Sequence, residues 1–240
     1  MIIAIILIIA FVLFIIGYGA YHVFMWPRSK FFGYYPCGIE TDKKILALSF
    51  DDGPTNPDTK NLLGVLAKHD IKATFFLVGK NLEKNPEIAK ELLAAGHTLG
   101  NHAYNHRLQR YLVTPDLKDE VEKTQDIIYQ LIGKKPTLFR SPWLIRHPGL
   151  FRMAKAHGLT LIGGIFGTQK EVWEVSADEI YNDALKQIAP GRIMIFHDGI
   201  IKEGSREGTI KAVDRLIPEL KKQGYEFVTV DQLLNIPAYQ

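Results

Sequence analysis

Two adjacent carboxylates, Asp51 and Asp52, close the apolar run Ile45 to Phe50 and are followed at once by Gly53-Pro54. Two histidines, His102 and His106, stand four residues apart after the apolar pair Thr98-Leu99. Arg140 follows Leu138-Phe139, and His197 follows Ile193-Met194-Ile195-Phe196. Two imidazoles four residues apart on a helical turn project from one face and can share a metal ion. HxxxH by itself is a weak signal, because solvated or core histidines give the same spacing. A carboxylate brought in from another element completes a three-ligand set and strengthens the metal reading. The second carboxylate is then free to take a proton, since adjacent strand-end residues point different ways. Without the histidines, Asp-Asp-Gly-Pro reads equally well as a turn.

For these residues to meet, the elements that carry them must end on one side of a sheet. Short apolar runs alternate with helix-length amphipathic stretches from Ile45 onward. Strands are expected at Ile45 to Phe50, Ala73 to Val78, Leu138-Phe139, Leu159 to Ile162, Ile193 to Phe196 and Phe227 to Val230. Helices are expected at Thr59 to His69, Pro86 to Ala95, Thr114 to Ile132, Gly149 to His157, Ser176 to Ile188 and Thr209 to Lys222. Thr114 with Pro115 reads as a helix start, and Ser176 with Glu179 has capping-box spacing. Six or seven β/α units imply a parallel sheet covered by helices, either open or closed as a barrel. In β/α barrels, active sites assemble on the loops that follow the strands, and all four chemical segments lie there.

Composition narrows the function further. With 29 basic and 26 acidic residues the net charge is only +3, so there is no nucleic-acid footprint. No glycine-rich fingerprint follows the first strand, and the acidic pair in that position would repel a phosphate, which excludes a nucleotide cofactor. The single cysteine, Cys37, has no intrachain partner. Ile2 to Trp26 is free of Asp, Glu, Lys and Arg and is long enough to cross a bilayer. It lacks the basic start and small-residue cleavage site of a signal peptide, so it is read as an uncleaved single-pass anchor. Arg28 and Lys30 just after it cast a weak vote for a cytoplasmic domain. The expected organisation is an anchor over 1–26, a juxtamembrane tether over 27–44 and a catalytic barrel over 45–240.

Taken together, these segments resemble the polysaccharide deacetylase family, the family 4 carbohydrate esterases that share a NodB homology domain. Ser49 to Pro54 is similar to the first family motif, His102 to His106 to the second, Arg140-Ser141-Pro142-Trp143 to the third, and Ile195-Phe196-His197 to the fifth. The resemblance runs from about Ile45 to Leu234. It implies a distorted (β/α) barrel of about seven parallel strands, here behind an N-terminal transmembrane helix, with one divalent metal ion, zinc in most members. By position, Asp52, His102 and His106 would hold the metal, and Asp51 would be the base that deprotonates the attacking water. His197 would protonate the leaving amine, Arg140 would orient Asp51, and Trp143 and Ile195 would line the pocket for the acyl methyl. A backbone N–H near Trp143 would help the metal stabilise the oxyanion.

Two departures stand out. Arg107 follows the second histidine where proline is common. The fourth motif, expected to supply an Asp directly before a Trp and to brace the motif-three arginine, reads Gly167-Thr168-Gln169-Lys170-Glu171-Val172-Trp173-Glu174. Glu171 or Glu174 is the candidate substitute. His69, His147 and His157 are read as surface or capping residues and His97 as structural. Asp198-Gly199 is read as a turn and Arg206 as part of a solvated loop.

The function implied is removal of N-linked acetyl groups from amino sugars of a cell-envelope glycan, peptidoglycan or chitin-like, by a hydrolase at the plasma membrane with its catalytic domain outside. The other readings are a deacylase or deformylase of a lipid-linked amino sugar, a barrel that binds glycan without turnover, and, least supported, a metal phosphoesterase.

Overall fold

The computed structural model describes residues 1–108, 117–173, 175–199 and 204–240. Eight strands form one parallel sheet: β1 (Ile45–Asp51), β2 (Thr74–Leu77), β3 (Thr98–Asn101), β4 (Leu138–Phe139), β5 (Thr160–Leu161), β6 (Ile165–Phe166), β7 (Ile193–His197) and β8 (Glu226–Val228). Seven follow the order β5-β4-β3-β2-β1-β7-β6, and β8 pairs with the first half of β1. The expected curled α/β barrel is therefore present. Its central strand is β1, which pairs Ser49 with Thr74 on one side and Ile195 on the other.

Alternation along the strands explains how one sheet both builds a core and carries a site. Leu46, Leu48 and Phe50 point outward into the layer beneath the helices, together with Phe75, Leu77, Met194 and Phe196. Ala47, Phe76, Leu138 and Ile193 fill the barrel interior instead. A period of two therefore places Ser49 and Asp51 on the interior face of β1, and Ile195 and His197 on that of β7.

The outer layer contains α2 (Asp58–Lys68), α3 (Gly79–Lys84), α4 (Pro86–Ala94), α5 (Lys118–Ile132), α6 (Pro148–Ala156), α7 (Ala177–Gln187), α8 (Glu207–Lys222) and α9 (Val230–Leu234). The Ser176–Glu179 capping box forms as expected. The expected start at Thr114 and Pro115 lies outside the described residues, and α5 is described from Lys118. Four short elements are missing from the expected helices and strands: α3, β3, β6 and α9, each six residues or fewer.

Between β5 and β6 the seam is covered by the segment before the barrel. Its backbone pairs at Ile193 N–H to Cys37 O, 2.9 Å, Gly163 N–H to Pro36 O, 2.9 Å, and Ile39 N–H to Gly191 O, 2.9 Å. Tyr35 is buried there. Helix α1 (Ile2–Phe24) precedes this segment; it is long and apolar enough to cross a membrane, and none of its residues is buried.

A candidate metal and acid–base site at the barrel mouth

The site begins with β1. Asp51 is its last residue and faces the interior, where Arg140 donates from Nη1 to Asp51 Oδ1 at 2.6 Å. The same guanidinium donates to Ser49 Oγ at 2.9 Å and to Gly163 O at 2.8 Å, and it lies over the Phe76 ring at 4.0 Å. Arg140 is fully buried, so the carboxylate and guanidinium must compensate one another. The expected partnership of Arg140 and Asp51 is present. The brace on Arg140 is supplied by Ser49 and the Gly163 carbonyl, not by a fourth-motif acid.

Asp52 turns out of the strand at φ 75. This left-handed step corrects the expectation that adjacent carboxylates must diverge, because both address the same imidazole: His102 Nε2 is 3.9 Å from Asp51 Oδ2 and 3.5 Å from Asp52 Oδ1. A close approach fixes the turn. A Cβ on Gly199 would collide with the Asp52 carbonyl, and one on Gly53 would meet the Asp198 carboxylate.

His102 and His106 do not lie on a helical turn. They occupy the loop after β3, where Ala103 (φ 59) and His106 (φ 52) adopt left-handed backbone that bends the imidazoles toward each other, ring centroids 5.0 Å apart. Such residues cost on the order of 1 kcal/mol or more each and need surrounding support. Asn101 Oδ1 accepts from Ala103 N–H at 2.8 Å, and Glu120 accepts from the N–H groups of Tyr104 and Asn105 at 3.1 and 2.6 Å.

Three ligand atoms converge here. Asp52 Oδ1 lies 3.2 Å from His106 Nε2 and 3.5 Å from His102 Nε2, all three residues are buried, and the set lies within 4.8 Å. His102 Nδ1 is 2.7 Å from Arg140 O, so its proton sits on Nδ1 and the Nε2 lone pair faces the cluster. Asp52 Oδ1 is buried without a hydrogen-bond donor. Donors about 2.0–2.1 Å from a tetrahedral ion stand about 3.3 Å apart, close to the two Asp52 separations. The residues thus fit a divalent ion. Burial raises the Asp52 carboxyl, but His106, His102 and His197 outweigh it and hold the group well below the ordinary carboxylate range. Burial drives His106 down to about 4, against the pull of Asp52, so it is a neutral donor at neutral pH.

Opposite this cluster, β7 ends at His197. Its Nδ1 is 2.9 Å from Glu171 Oε2, and its backbone N–H donates to Glu171 Oε1 at 3.0 Å. Thr209 Oγ1 donates to the same carboxylate at 2.6 Å, and Arg206 Nη1 donates to the Glu171 carbonyl at 3.0 Å. Burial lowers His197, but Glu171 and, behind it, Asp52 and Asp51 raise it further, to about 9. His197 is therefore charged at neutral pH, with Nδ1 engaged and Nε2 the remaining donor. The departure in the fourth motif has its explanation here: Glu171, one residue before the usual position and one methylene longer than Asp, braces His197 and not Arg140. Glu174, the other candidate, lies outside the described residues.

Arg206 is buried and joins Glu171 to the Gly199 carbonyl, through a 2.7 Å bond from Nε, so it is no solvated loop residue. Asp198 is fully buried and accepts from Thr59 Oγ1 at 2.6 Å; burial pushes it up to about 7. Trp143 sits at φ 60 with its ring 5.2 Å from that of His106, partly exposed beside the cluster. Ile195 is fully buried below His197 and packs toward Gly164. The remaining histidines stand apart from the site. His97 accepts from Ala73 N–H and His147 caps α6, while His69 and His157 pair with Asp214 and Glu122.

Comparison with known proteins follows the same lines. Residues 38–162 match the polysaccharide deacetylase family model. A peptidoglycan-N-acetylglucosamine deacetylase of Bacillus cereus is 32% identical over 204 residues, covering 85% of this chain and 94% of that protein. The peptidoglycan-N-acetylmuramic acid deacetylase PdaC of Bacillus subtilis is 31% identical over 199 residues, covering 82% of this chain and 40% of that protein. A crystal structure of a peptidoglycan N-acetylglucosamine deacetylase, in complex with 4-naphthalen-1-yl-N-oxidanyl-benzamide, superposes with a TM-score of 0.76 at 31% identity, covering 83% of this chain and 92% of that one.

Proposed function

The chain belongs to the polysaccharide deacetylase family and is a metal-dependent carbohydrate hydrolase, and we propose that it removes N-acetyl groups from the amino sugars of peptidoglycan. The observation that carries this reading is the pairing of two differently poised proton-transfer groups across one three-ligand cluster. Asp51 is held by Arg140, and His197 is held charged by Glu171.

Asp52 Oδ1, His102 Nε2 and His106 Nε2 are the metal ligands, and their nitrogen-rich set suits zinc. The ion, when bound, polarises the acyl carbonyl and lowers the pKa of water. Asp51 Oδ2, the oxygen not bonded to Arg140, takes the proton of the attacking water; Arg140 fixes the plane of that carboxylate. A backbone N–H beside Trp143 would receive part of the negative charge that develops on the acyl oxygen. His197 then delivers a proton from Nε2 to the leaving amine, and Glu171 on Nδ1 stabilises the imidazolium until it does. Trp143 forms one wall of the acyl pocket and Ile195 its floor.

Residues 1–26 anchor the protein to the plasma membrane, 27–44 are no free tether but run from that anchor along the barrel seam, and 45–240 form the catalytic unit on the outer face. The relatives' peptidoglycan substrates support that side of the membrane. The test is acetate release from purified peptidoglycan by the zinc-loaded full chain in detergent, with the amino sugars identified by mass spectrometry. Free glucosamine or muramic acid residues that fail to appear with Asp51→Asn support the reading. Acetate release that survives Asp51→Asn contradicts it.

A further inference from the structure

The residues just after α1 fold back on its end. Ser29 Oγ donates to Val23 O at 2.9 Å, and the Phe32 ring lies 5.1 Å from that of Phe24. Pro27 O accepts from Arg146 Nη2 at 2.6 Å and from Cys37 Sγ at 3.3 Å, so the turn is fastened to the barrel seam as well. Arg28 and Lys30 are therefore held beside the last turn of the helix. A span that ends at Phe24 puts the residues just after it in the interfacial zone of a leaflet, about 5–7 Å deep, where lipid headgroups lie. Trp26, Phe31 and Tyr34 are exposed around the same turn, the aromatic setting of a membrane–water interface.

That turn forms one wall of a cavity of about 670 Å³, within the roughly 300–1,000 Å³ common to ligand sites. The opposite wall is the crossing of Gly38-Ile39 with Gly191-Arg192, just before β7. The crossing is tight and leaves no room for adjustment: Ile39 N–H donates to Gly191 O at 2.9 Å, a Cβ on Gly38 would strike the same carbonyl, and one on Gly191 would strike the Ile39 carbonyl. Arg192 stands half-buried on this wall, with Nη1 donating to the Gln187 carbonyl.

Three cations, Arg28, Lys30 and Arg192, thus line one cavity against a single acid, Glu40. Among the described residues none of the three is ion-paired, and Lys30 Nζ rests 5.5 Å from the Tyr34 ring. Burial lowers the Arg192 guanidinium and the neighbouring Arg28 charge lowers it further, against an opposing pull from Tyr225. An anion seated among these groups relieves that repulsion, and the guanidinium fork matches phosphate oxygens. We infer that the cavity holds the headgroup phosphate of an anionic phospholipid, gripped by Arg28, Lys30 and Arg192. A zwitterionic headgroup fits less well, because it brings its own cation to a lining already rich in them. The inference rests on the membrane-anchor part of the reading above and is independent of the reaction at the barrel mouth.

The test is native mass spectrometry of the full chain released from neutral detergent micelles, titrated with phosphatidylglycerol or with phosphatidylcholine of the same acyl chains. One phosphatidylglycerol per chain is expected, bound roughly tenfold or more tighter than phosphatidylcholine. A cation at a lipid surface contributes about fivefold in affinity, so Arg28→Gln and Arg192→Gln should each weaken phosphatidylglycerol binding by about that factor or more. Arg192→Lys, which keeps the charge, should lose less than Arg192→Gln. Lys222→Gln, which removes an exposed charge outside the cavity at the end of α8, should leave binding unchanged. Equal affinity for the two lipids, equal losses from the two Arg192 variants, or a loss with Lys222→Gln as large as with Arg28→Gln overturns the site. Displacement of the lipid by equimolar inorganic phosphate also overturns it, since the cavity would then serve soluble phosphate. Flotation with phosphatidylcholine vesicles reads the span by itself: a chain that floats but shows no headgroup preference loses the site and keeps its anchor, and a chain that does not float loses both.

Discussion

Replacing Glu171 with Gln removes the charge that keeps His197 protonated while sparing most of the side chain's volume. Burial lowers His197, and Glu171 is the largest opposing influence, through both its charge and its bond to Nδ1. With the charge gone, the imidazole falls from about 9 to or below its ordinary 6.5. At pH 8 the protonated fraction then drops from about nine-tenths to about 3%, roughly thirty-fold. At pH 6 it remains about three-quarters or more if the group settles at 6.5, so the loss there is under twofold. The assay is the pH profile of kcat/KM for acetate release. The expected result is an alkaline limb moved from near pH 9 to near pH 6.5, with activity approaching wild type on the acid side. A uniform loss at every pH would mean that Glu171 only shapes the wall. An unmoved alkaline limb would refute His197 as the acid. The linkage has a stability counterpart: because the folded pKa is raised, the His197–Glu171 pair stabilises fully below about pH 6.5, and that contribution is lost as pH rises through about 9.

Three further outcomes are expected. Arg140→Ala strands a buried carboxylate and should destabilise by about 3–5 kcal/mol, a fall of roughly 6–20 °C in Tm by calorimetry; a loss under 1 kcal/mol would show that the pair is not buried as described. Gly199→Ala drives a methyl into the Asp52 carbonyl and should cost both folding yield and metal affinity, whereas Gly64→Ala, whose Cβ meets nothing, should be neutral or slightly stabilising. His106→Ala removes one of three ligands and should weaken metal binding by calorimetric titration at least a hundredfold; binding within threefold of wild type would exclude His106 from the ligand set.

How much of this was legible before the structure depends on the length of the signal. The long amphipathic helices and the central strands announce themselves by period, and the chemical residues are conspicuous as polar groups ending apolar runs. The parallel register then brings Asp51 and His197 side by side across β1 and β7. Glu171 was misassigned because its partner is 26 residues away and its reach comes from a short 3-10 turn that no periodicity marks. The HxxxH spacing suggested a helix, yet the loop converges through left-handed Ala103 and His106, a backbone choice neither residue type advertises. Arg206 resembled a loop cation among glycines, and only the fold shows it buried against Glu171 and Gly199. The apolar first segment was evident from composition, while its contact with the barrel depends on Arg146, one arginine among many in the sequence.

The central claim is that one cluster binds the metal while Asp51 and His197 move the protons. The most direct measurement takes wild type, Asp51→Asn and His197→Ala through the same preparation and reads metal content and acetate release on each. The account predicts one divalent ion per chain in all three proteins, with acetate released by wild type alone. An ion lost with Asp51→Asn, or acetate released at the wild-type rate by either variant, would contradict it.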